Sequence, residues 1–376
     1  MTPVLPRIPQ ANPGAGYRAL QAEIDAAVAR VLGSGWYILG AEGRGFEAEF
    51  AAWLGAGQAV ACGNGTDALA LALRGLGIGQ GHAVVTVSHT AVATVAAIEM
   101  AGAVPVLIDI DARHYTMDPA ELSAVLAKPP AGLPPIAAVI PVHLYGQAAD
   151  LDAILALAAR HGVAVVEDCS QAHGATLGER RLGTLGEVGC FSLYPTKNLG
   201  ALGDGGIIAT NDAGLAQRLA ALRQYGWRQH SISDDIGVNS RLDEVQAAIL
   251  RVMLAHLDAR NARRSEIAAR YDAALAEGRI PPPARRPGAQ HVFHQYVIRV
   301  PERAVVQGRL REAGIATGVH YPVPVHLQPA YRGRVALGPA ACQATERAAA
   351  EVLSLPIYPV LSEHQVARIV EALAAL

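Results

Sequence analysis

Between residues 59 and 210, short runs rich in valine and isoleucine alternate with longer stretches rich in alanine and leucine. Apolar runs of four to eight residues fit buried strands, and the longer stretches fit crossover helices. The pattern predicts strands at Ala59–Cys62, Ala83–Val87, Val104–Ile110, Ile136–Val142, Val163–Asp168, Cys190–Leu193 and Gly206–Thr210. Helices fit between them at Thr66–Arg74, Thr90–Ala101, Pro119–Ala127 and Asp150–Arg160. This is the alternation of an α/β unit built on a mostly parallel sheet. Ligands of such sheets collect at the carboxyl ends of strands. There the chain carries Gly63-Asn64-Gly65, His89 and Asp168.

A single amphipathic helix is expected from Leu242 to Arg264, bridging to a second unit. A turn-rich connection follows at Gly278–Gly288, then a strand-like His291–Val300, a helix near Glu302–Ala313, a proline-broken segment at Tyr321–His326, and terminal helices. With 376 residues the chain exceeds the size at which one core stops growing, about 250–300 residues. The expected division is a large domain over 1–250 and a small C-terminal α/β domain over 251–376.

Composition changes the picture at one point. Of 31 basic residues only Lys128 and Lys197 are lysines, and the other 29 are arginines. Guanidinium serves wherever a fixed positive charge suffices, because it keeps its proton near neutral pH. Lys197 sits instead among small residues, in Ser192-Leu-Tyr-Pro-Thr-Lys197-Asn-Leu-Gly-Ala-Leu-Gly-Asp-Gly-Gly206. An amine can be neutral and nucleophilic and can condense with an aldehyde, as a pyridoxal phosphate lysine does. The bland alternative is a solvated loop lysine. The 33 acidic residues nearly cancel the basic ones, so the chain shows no nucleic-acid stripe. No apolar run has the length of a signal peptide or a membrane span, and a cytoplasmic protein is expected. Cys62, Cys169, Cys190 and Cys342 lack metal-site or disulfide-framework spacing.

Three further anchors would complete a cofactor site. Gly65 and Thr66, at a helix start, offer free N–H groups and a favourable dipole to a phosphate, and Ser192 adds a hydroxyl. Asp168, next to Glu167 at the end of a buried-looking strand, calls for a cation, and a pyridinium nitrogen would supply it. Gln171 is placed to meet the ring's phenolic oxygen, and His89 to stack on the ring. The competing plain reading makes the same residues turn and helix caps. Gly63-Asn-Gly-Thr-Asp-Ala68 also matches a loose dinucleotide fingerprint, which raises a nucleotide-sugar oxidoreductase as a rival. No Asp or Glu lies between Ala68 and Ile98, where the ribose-binding carboxylate belongs.

The chain resembles the sugar aminotransferase family often named DegT/DnrJ/EryC1/StrS. The resemblance rests on Gly35-Trp-Tyr-Ile-Leu-Gly40, Asn64-Gly-Thr-Asp-Ala-Leu69, Ser88-His-Thr90, Pro141-Val-His-Leu-Tyr-Gly146, Glu167-Asp-Cys-Ser-Gln-Ala-His-Gly174, Phe191-Ser-Leu-Tyr-Pro-Thr-Lys-Asn-Leu-Gly200 and Gly237-Val-Asn-Ser-Arg-Leu-Asp-Glu-Val-Gln246. It implies the aspartate aminotransferase fold (fold type I) and a homodimer with shared active sites. The implied cofactor is pyridoxal phosphate, passing through its pyridoxamine form. The implied reaction moves an amino group from L-glutamate or glutamine to a nucleotide-linked ketosugar, as in antibiotic aminosugar biosynthesis. By residue it implies Lys197 as the cofactor lysine, Asp168 at the pyridine nitrogen and Gln171 at the phenolic oxygen. Gly65, Thr66 and Ser192 fall at the phosphate, joined by Asn239 from the other subunit, and Tyr321 and His326 on the substrate side. His89 departs from the aromatic residue often found at the stacking position. Lys197 separates the chain from family dehydratases, which carry histidine there, and with Asp168 it argues against a non-catalytic regulator. Gln171-Ala-His-Gly174 points toward C3 of a dTDP-linked 3-keto-6-deoxyhexose, with a 4-ketosugar or a keto-cyclitol as alternatives.

Overall fold

A computed structural model describes residues 6–229, 231–276 and 278–376. Eight strands form the main sheet: β1 (Gln58–Cys62), β2 (Ala83–Val87), β3 (Val104–Ile108), β4 (Ile136–Val139), β5 (Ala164–Asp168), β6 (Val188–Ser192), β7 (Gly206–Thr210) and β8 (Ala336–Leu337). Their order across the sheet is β1-β7-β6-β5-β4-β2-β3-β8. Only β7 runs antiparallel to its neighbours, and every other pair is parallel.

Both faces of the sheet are covered, which is why its strands read as unbroken apolar runs rather than alternating ones. Successive side chains still point to opposite faces. Val85, Val139 and Val165 join Leu122, Val125 and Ile154 in one core, whereas Val84, Ala138 and Val166 join Leu69, Leu73 and Ile98 in another. The flanking helices are Pro119–Ala127 and Leu151–His161 on one side and Gly65–Gly75 and Val92–Met100 on the other. A further cluster is built by Ile8, Ile267, Tyr271, Tyr296, Ile298, Leu353, Ile369 and neighbours, around the antiparallel pair Tyr296–Arg299 and Val352–Leu355.

The expected Leu242–Arg264 helix is instead two helices, Glu244–Ala255 and Leu257–Ala276, meeting at His256. The change of direction lets one chain segment serve two cores. Leu250 and Leu254 pack under the large sheet with Phe46 and Phe50, while Ile267, Tyr271 and Leu275 enter the C-terminal cluster. Two strands also end early, at Ile108 and Val139. Ile110 and Val142 leave the ladder for single bridges, to Met117 and to Asp168. Residue 250 lies inside the first of the two helices, and β8 comes from the C-terminal third of the chain to close the β3 edge.

Two buried carboxylates tie distant elements together. Glu244 accepts the N–H groups of Gly40 and Glu42 at 2.8 Å and of Gly43 at 2.9 Å, capping the Ala41–Leu54 helix across more than 200 residues of sequence. A side chain at Gly40 would sit 2.6 Å from Glu244 Oε2, so only glycine leaves room there. Asp109, just past β3, accepts the N–H groups of Ala344 and Thr345 and the Thr345 hydroxyl, holding the start of the Gln343–Glu351 helix. Negative charge at a helix N-terminus is favoured by its free N–H groups and dipole. Glu244→Ala orphans three donors at once, and urea unfolding is expected to show a loss of about 3 kcal/mol. A loss under about 1 kcal/mol would mean that the cap contributes nothing beyond an ordinary surface contact.

Candidate active site

At the carboxyl ends of β1, β5 and β6 lies a cavity of about 610 Å³. Gly65, Thr66, Asp168, Gln171, Ser192, Lys197 and Tyr321 all line it, so seven of the ten residues singled out in the sequence meet at one place.

Strand β5 explains the adjacent carboxylates. Glu167 and Asp168 point to opposite faces because neighbouring strand residues must. Glu167 turns inward, fully buried, and accepts the N–H groups of Gly183, Leu185 and Gly186, each at 2.8 Å. His143 Nδ1 accepts the Ala149 N–H, so the Nε2 proton is donated to Glu167 at 3.1 Å. These donors hold the Glu167 carboxyl below its usual range against the opposing effect of burial. Asp168 turns to the cavity, 4% exposed. Thr90 donates to Thr94 at 2.9 Å, and Thr94 donates to Asp168 Oδ2 at 2.8 Å. Ser170 N–H donates to Oδ1 at 3.1 Å. The carboxylate is fixed in orientation while one side faces the cavity.

Lys197 lies in the loop joining β6 to β7. Backbone bonds from Leu193 to Gly205 and from Ala201 to Leu193, both 2.8 Å, close the loop at its base. Asn198 donates to Asn261 Oδ1 at 2.8 Å and to the Val292 carbonyl at 2.9 Å, bolting the loop to the Leu257–Ala276 helix. Packing around the Lys197 amine lowers its pKa to about 8, with the Asp168 charge opposing the shift. Near neutral pH the amine therefore holds its proton weakly.

Across the cavity, Asn64 caps the Gly65–Gly75 helix by accepting the Asp67 N–H at 2.9 Å. The first-turn N–H groups of Gly65 and Thr66 have no chain acceptor among the described residues. A Cβ on Gly65 would lie 2.6 Å from Ser192 Cβ, so the glycine brings the helix start against the serine. Free amides, a hydroxyl and a helix dipole together form an anion cradle. Gln171 Oε1 accepts the Tyr145 N–H at 2.8 Å and Nε2 donates to the Tyr321 hydroxyl at 3.1 Å. Burial pushes the Tyr321 phenol up to about 12, so it keeps its proton.

Two sequence-based placements differ. His89 does not line the cavity. It is 1% exposed, its Nε2–H meets the Tyr145 hydroxyl at 2.9 Å, and its ring lies among Tyr115 and Tyr145. The chain turns at the end of β2, so Thr90, Ala91, Ala93 and Thr94 face the cavity instead. Burial lowers the His89 pKa to about 4, which keeps the ring neutral in that aromatic nest. His326 is likewise withdrawn, with Nδ1 2.7 Å from the Ser88 hydroxyl and Nε2 3.2 Å from Glu346. It braces the end of β2. Asn239 is exposed and outside the cavity wall. Thr94, Tyr145, His294 and His320 went unnoticed in the sequence. Thr90 and Thr94, four apart at a helix start, were the only available signal.

The residues present fit pyridoxal phosphate. A cradle of free amides, a buried carboxylate with an open side and a lysine of lowered pKa line the same cavity. This fold and this donor set define an aspartate aminotransferase-type (fold type I) pyridoxal phosphate enzyme. The profile of the DegT/DnrJ/EryC1/StrS aminotransferase family matches residues 18–374, and the chain belongs to that family. It is 47% identical over 368 residues to the dTDP-3-amino-3,4,6-trideoxy-alpha-D-glucose transaminase of Streptomyces venezuelae, covering 98% of this chain and 95% of the relative. It is 42% identical over 362 residues to the UDP-N-acetyl-3-dehydro-alpha-D-glucosamine 3-aminotransferase of Acidithiobacillus ferrooxidans, covering 96% of each. Among solved structures, S. venezuelae DesV in complex with a ketimine intermediate superposes with a TM-score of 0.93 at 47% identity, over 98% of both chains. The aminotransferases of this family are pyridoxal phosphate-dependent, and this chain is one of them. Among the described residues, no helix is long and apolar enough to cross a membrane.

A lysine pKa near 8 has a kinetic signature. Only the neutral amine attacks an aldehyde, so the rate at which apoprotein captures pyridoxal phosphate is expected to rise about tenfold per pH unit up to pH 8 and then level off. Absorbance stopped-flow would read it. A rise that continues unbroken to pH 10 would show an unperturbed lysine.

Proposed function

We propose that this chain transfers the amino group of L-glutamate to C3 of a 3-keto-6-deoxyhexose carried on dTDP, as a homodimer whose active sites are shared between subunits. The observation that carries the C3 reading is that both curated relatives, one dTDP-dependent and one UDP-dependent by name, bear the amino or keto function at C3. The dTDP choice follows the more similar of the two.

When bound, pyridoxal phosphate supplies an electron sink that stabilises a carbanion at the amino-bearing carbon. The chain's residues do the rest. Gly65 and Thr66 amides with Ser192 would hold the phosphate. Asp168, oriented by Thr94, would keep the pyridine nitrogen protonated from its open side. Gln171 and Tyr321 would offer donors toward the phenolic oxygen and the substrate. Lys197 would tether the cofactor at rest and, once freed, would move a proton between the donor's alpha carbon and the cofactor's C4′ atom. A base that must take and return a proton near neutrality works best with a pKa near the working pH, and burial brings Lys197 to about 8.

Sharing of the site accounts for two features. Asn239 is exposed and away from its own cavity, free to reach the phosphate of a second copy. Tyr194 and Met100 line the cavity yet are 52% and 57% exposed, and Trp36 nearby in sequence to the Glu244 cap is 64% exposed. Apolar side chains so placed suit burial by a partner.

Lys197→Arg keeps the charge and removes the nucleophile. Turnover is expected to fall on the order of 10³-fold or more, read as 2-oxoglutarate release and as loss of the visible cofactor band's response to L-glutamate. Retained transamination would sink the lysine's role. Subunit sharing has its own test: Lys197→Arg and Asn239→Ala chains are mixed under exchange conditions. Hybrids then hold one undamaged site, and activity is expected to approach about one quarter of wild type, by random pairing of two-fold dimers. Activity no greater than the sum of the separate variants would place each site within one chain.

A further inference from the structure

A second, smaller cavity of about 160 Å³ adjoins the first. Thr196, Lys197, His294, Gln295 and His320 line both, so the two share Lys197 as a wall. Its far side carries Arg260 and Arg264, from one face of the Leu257–Ala276 helix, and Tyr358. Arg264 is 5% exposed. One of its terminal nitrogens donates to the carbonyls of Phe293 at 3.0 Å and Ile357 at 2.6 Å, and its Nε has no partner. Arg260 Nε, His294 Nδ1 and the Tyr358 hydroxyl are also buried without partners. Among the described residues no carboxylate lines this cavity, and neither arginine has an ion pair. Asn198 Oδ1 is likewise buried without a partner.

A desolvated Arg264 guanidinium, with the partly buried Arg260 four residues away and a lysine beside them, is in unstable company. Burial and, to a lesser degree, the neighbouring Arg260 charge together lower the pKa of Arg264 to about 9. Water can satisfy single polar atoms but does not neutralise a buried cluster of like charge, whereas an anion does both. The cavity is too small for a hexose with its nucleotide. A carboxylate on a short carbon chain fits, and Lys197 marks where the other end of that chain must react.

We propose that the Arg260–Arg264–Tyr358 cavity is the subsite for a carboxylate of the amino donor. This rests on the reading that L-glutamate is the donor. It gives the enzyme separate recognition of its two substrates, with the sugar nucleotide in the large cavity and the donor's carboxylate in the small one.

The test uses holoenzyme and two variants chosen to spare the fold: Arg260→Gln, partly exposed, and Tyr358→Phe, which keeps the ring. The L-glutamate half-reaction is followed without sugar, and glutarate, a dicarboxylate without an amine, is the binding probe, read as competition against glutamate. Expected is a rise of about 10–100-fold in the glutamate KM for Arg260→Gln and a smaller rise for Tyr358→Phe. Glutarate affinity should weaken in parallel, with the limiting rate and the cofactor spectrum unchanged. Unchanged glutamate KM and glutarate affinity in both variants would overturn the proposal. So would a loss confined to sensitivity toward added chloride, which would assign the cavity to a free ion. A falling limiting rate at constant KM would also overturn it, because the cavity would then act on Lys197 alone. If wild-type holoenzyme itself fails to react with L-glutamate, the donor assignment fails, which is distinct from an effect seen only in the variants.

Discussion

Two adjacent carboxylates at the buried end of β5 are the constraint around which the large sheet is arranged. A charge taken out of water needs compensation close at hand, and the two receive it in opposite ways. Glu167 is satisfied from within, by three backbone N–H groups and His143. Those bonds draw the 183–186 turn against β5 and fix where β6 begins. Asp168 is only half satisfied, by Thr94 and Ser170. Its remaining acceptor capacity faces the cavity. The same strand thus anchors the fold with one residue and presents a carboxylate to the cavity with the next.

Lys197 depends on a comparable division of labour. The loop itself contributes little rigidity, being rich in glycine. Its position comes from Asn198, clamped between Asn261 and Val292, and Asn261 in turn holds the His173 carbonyl at 2.8 Å. The loop is thus held from a helix that also carries Arg260 and Arg264. Positioning, electrostatics and the wall of the second cavity therefore meet on one helix of twenty residues.

The strands were legible because buried parallel strands are written as runs of β-branched residues, and β2 and β7 fall where the sequence puts them. Asp168, Gly65, Thr66 and Ser192 were legible as cavity residues because they fall at or just past the end of a strand, and Lys197 because it is one of two lysines and sits in a loop of small residues. What escaped was local geometry. His89 and Ala91 lie two residues apart, and only the turn after β2 decides which faces the ligand. The break at His256 left no proline or glycine to announce it, since two cores rather than local propensity impose the bend. Arg264 looked like any arginine on an amphipathic helix. Its burial depends on Phe293 and Ile357, which arrive much later in the chain. For Asn239 only the resemblance offers a role, since in a single chain it lies exposed and outside the cavity wall.

The short strand β8 has a consequence for how the chain is made. An unpaired sheet edge invites pairing with other chains, and β3 would present one if Ala336–Leu337 did not lie along it. That cover is synthesised more than 200 residues after β3. While the ribosome is still producing the middle of the protein, the nascent sheet already holds most of its strands but has an open side. The interval between the two is a window in which the unfinished polypeptide depends on chaperones or dilution, and a message truncated before codon 336 would yield a product with that side permanently exposed.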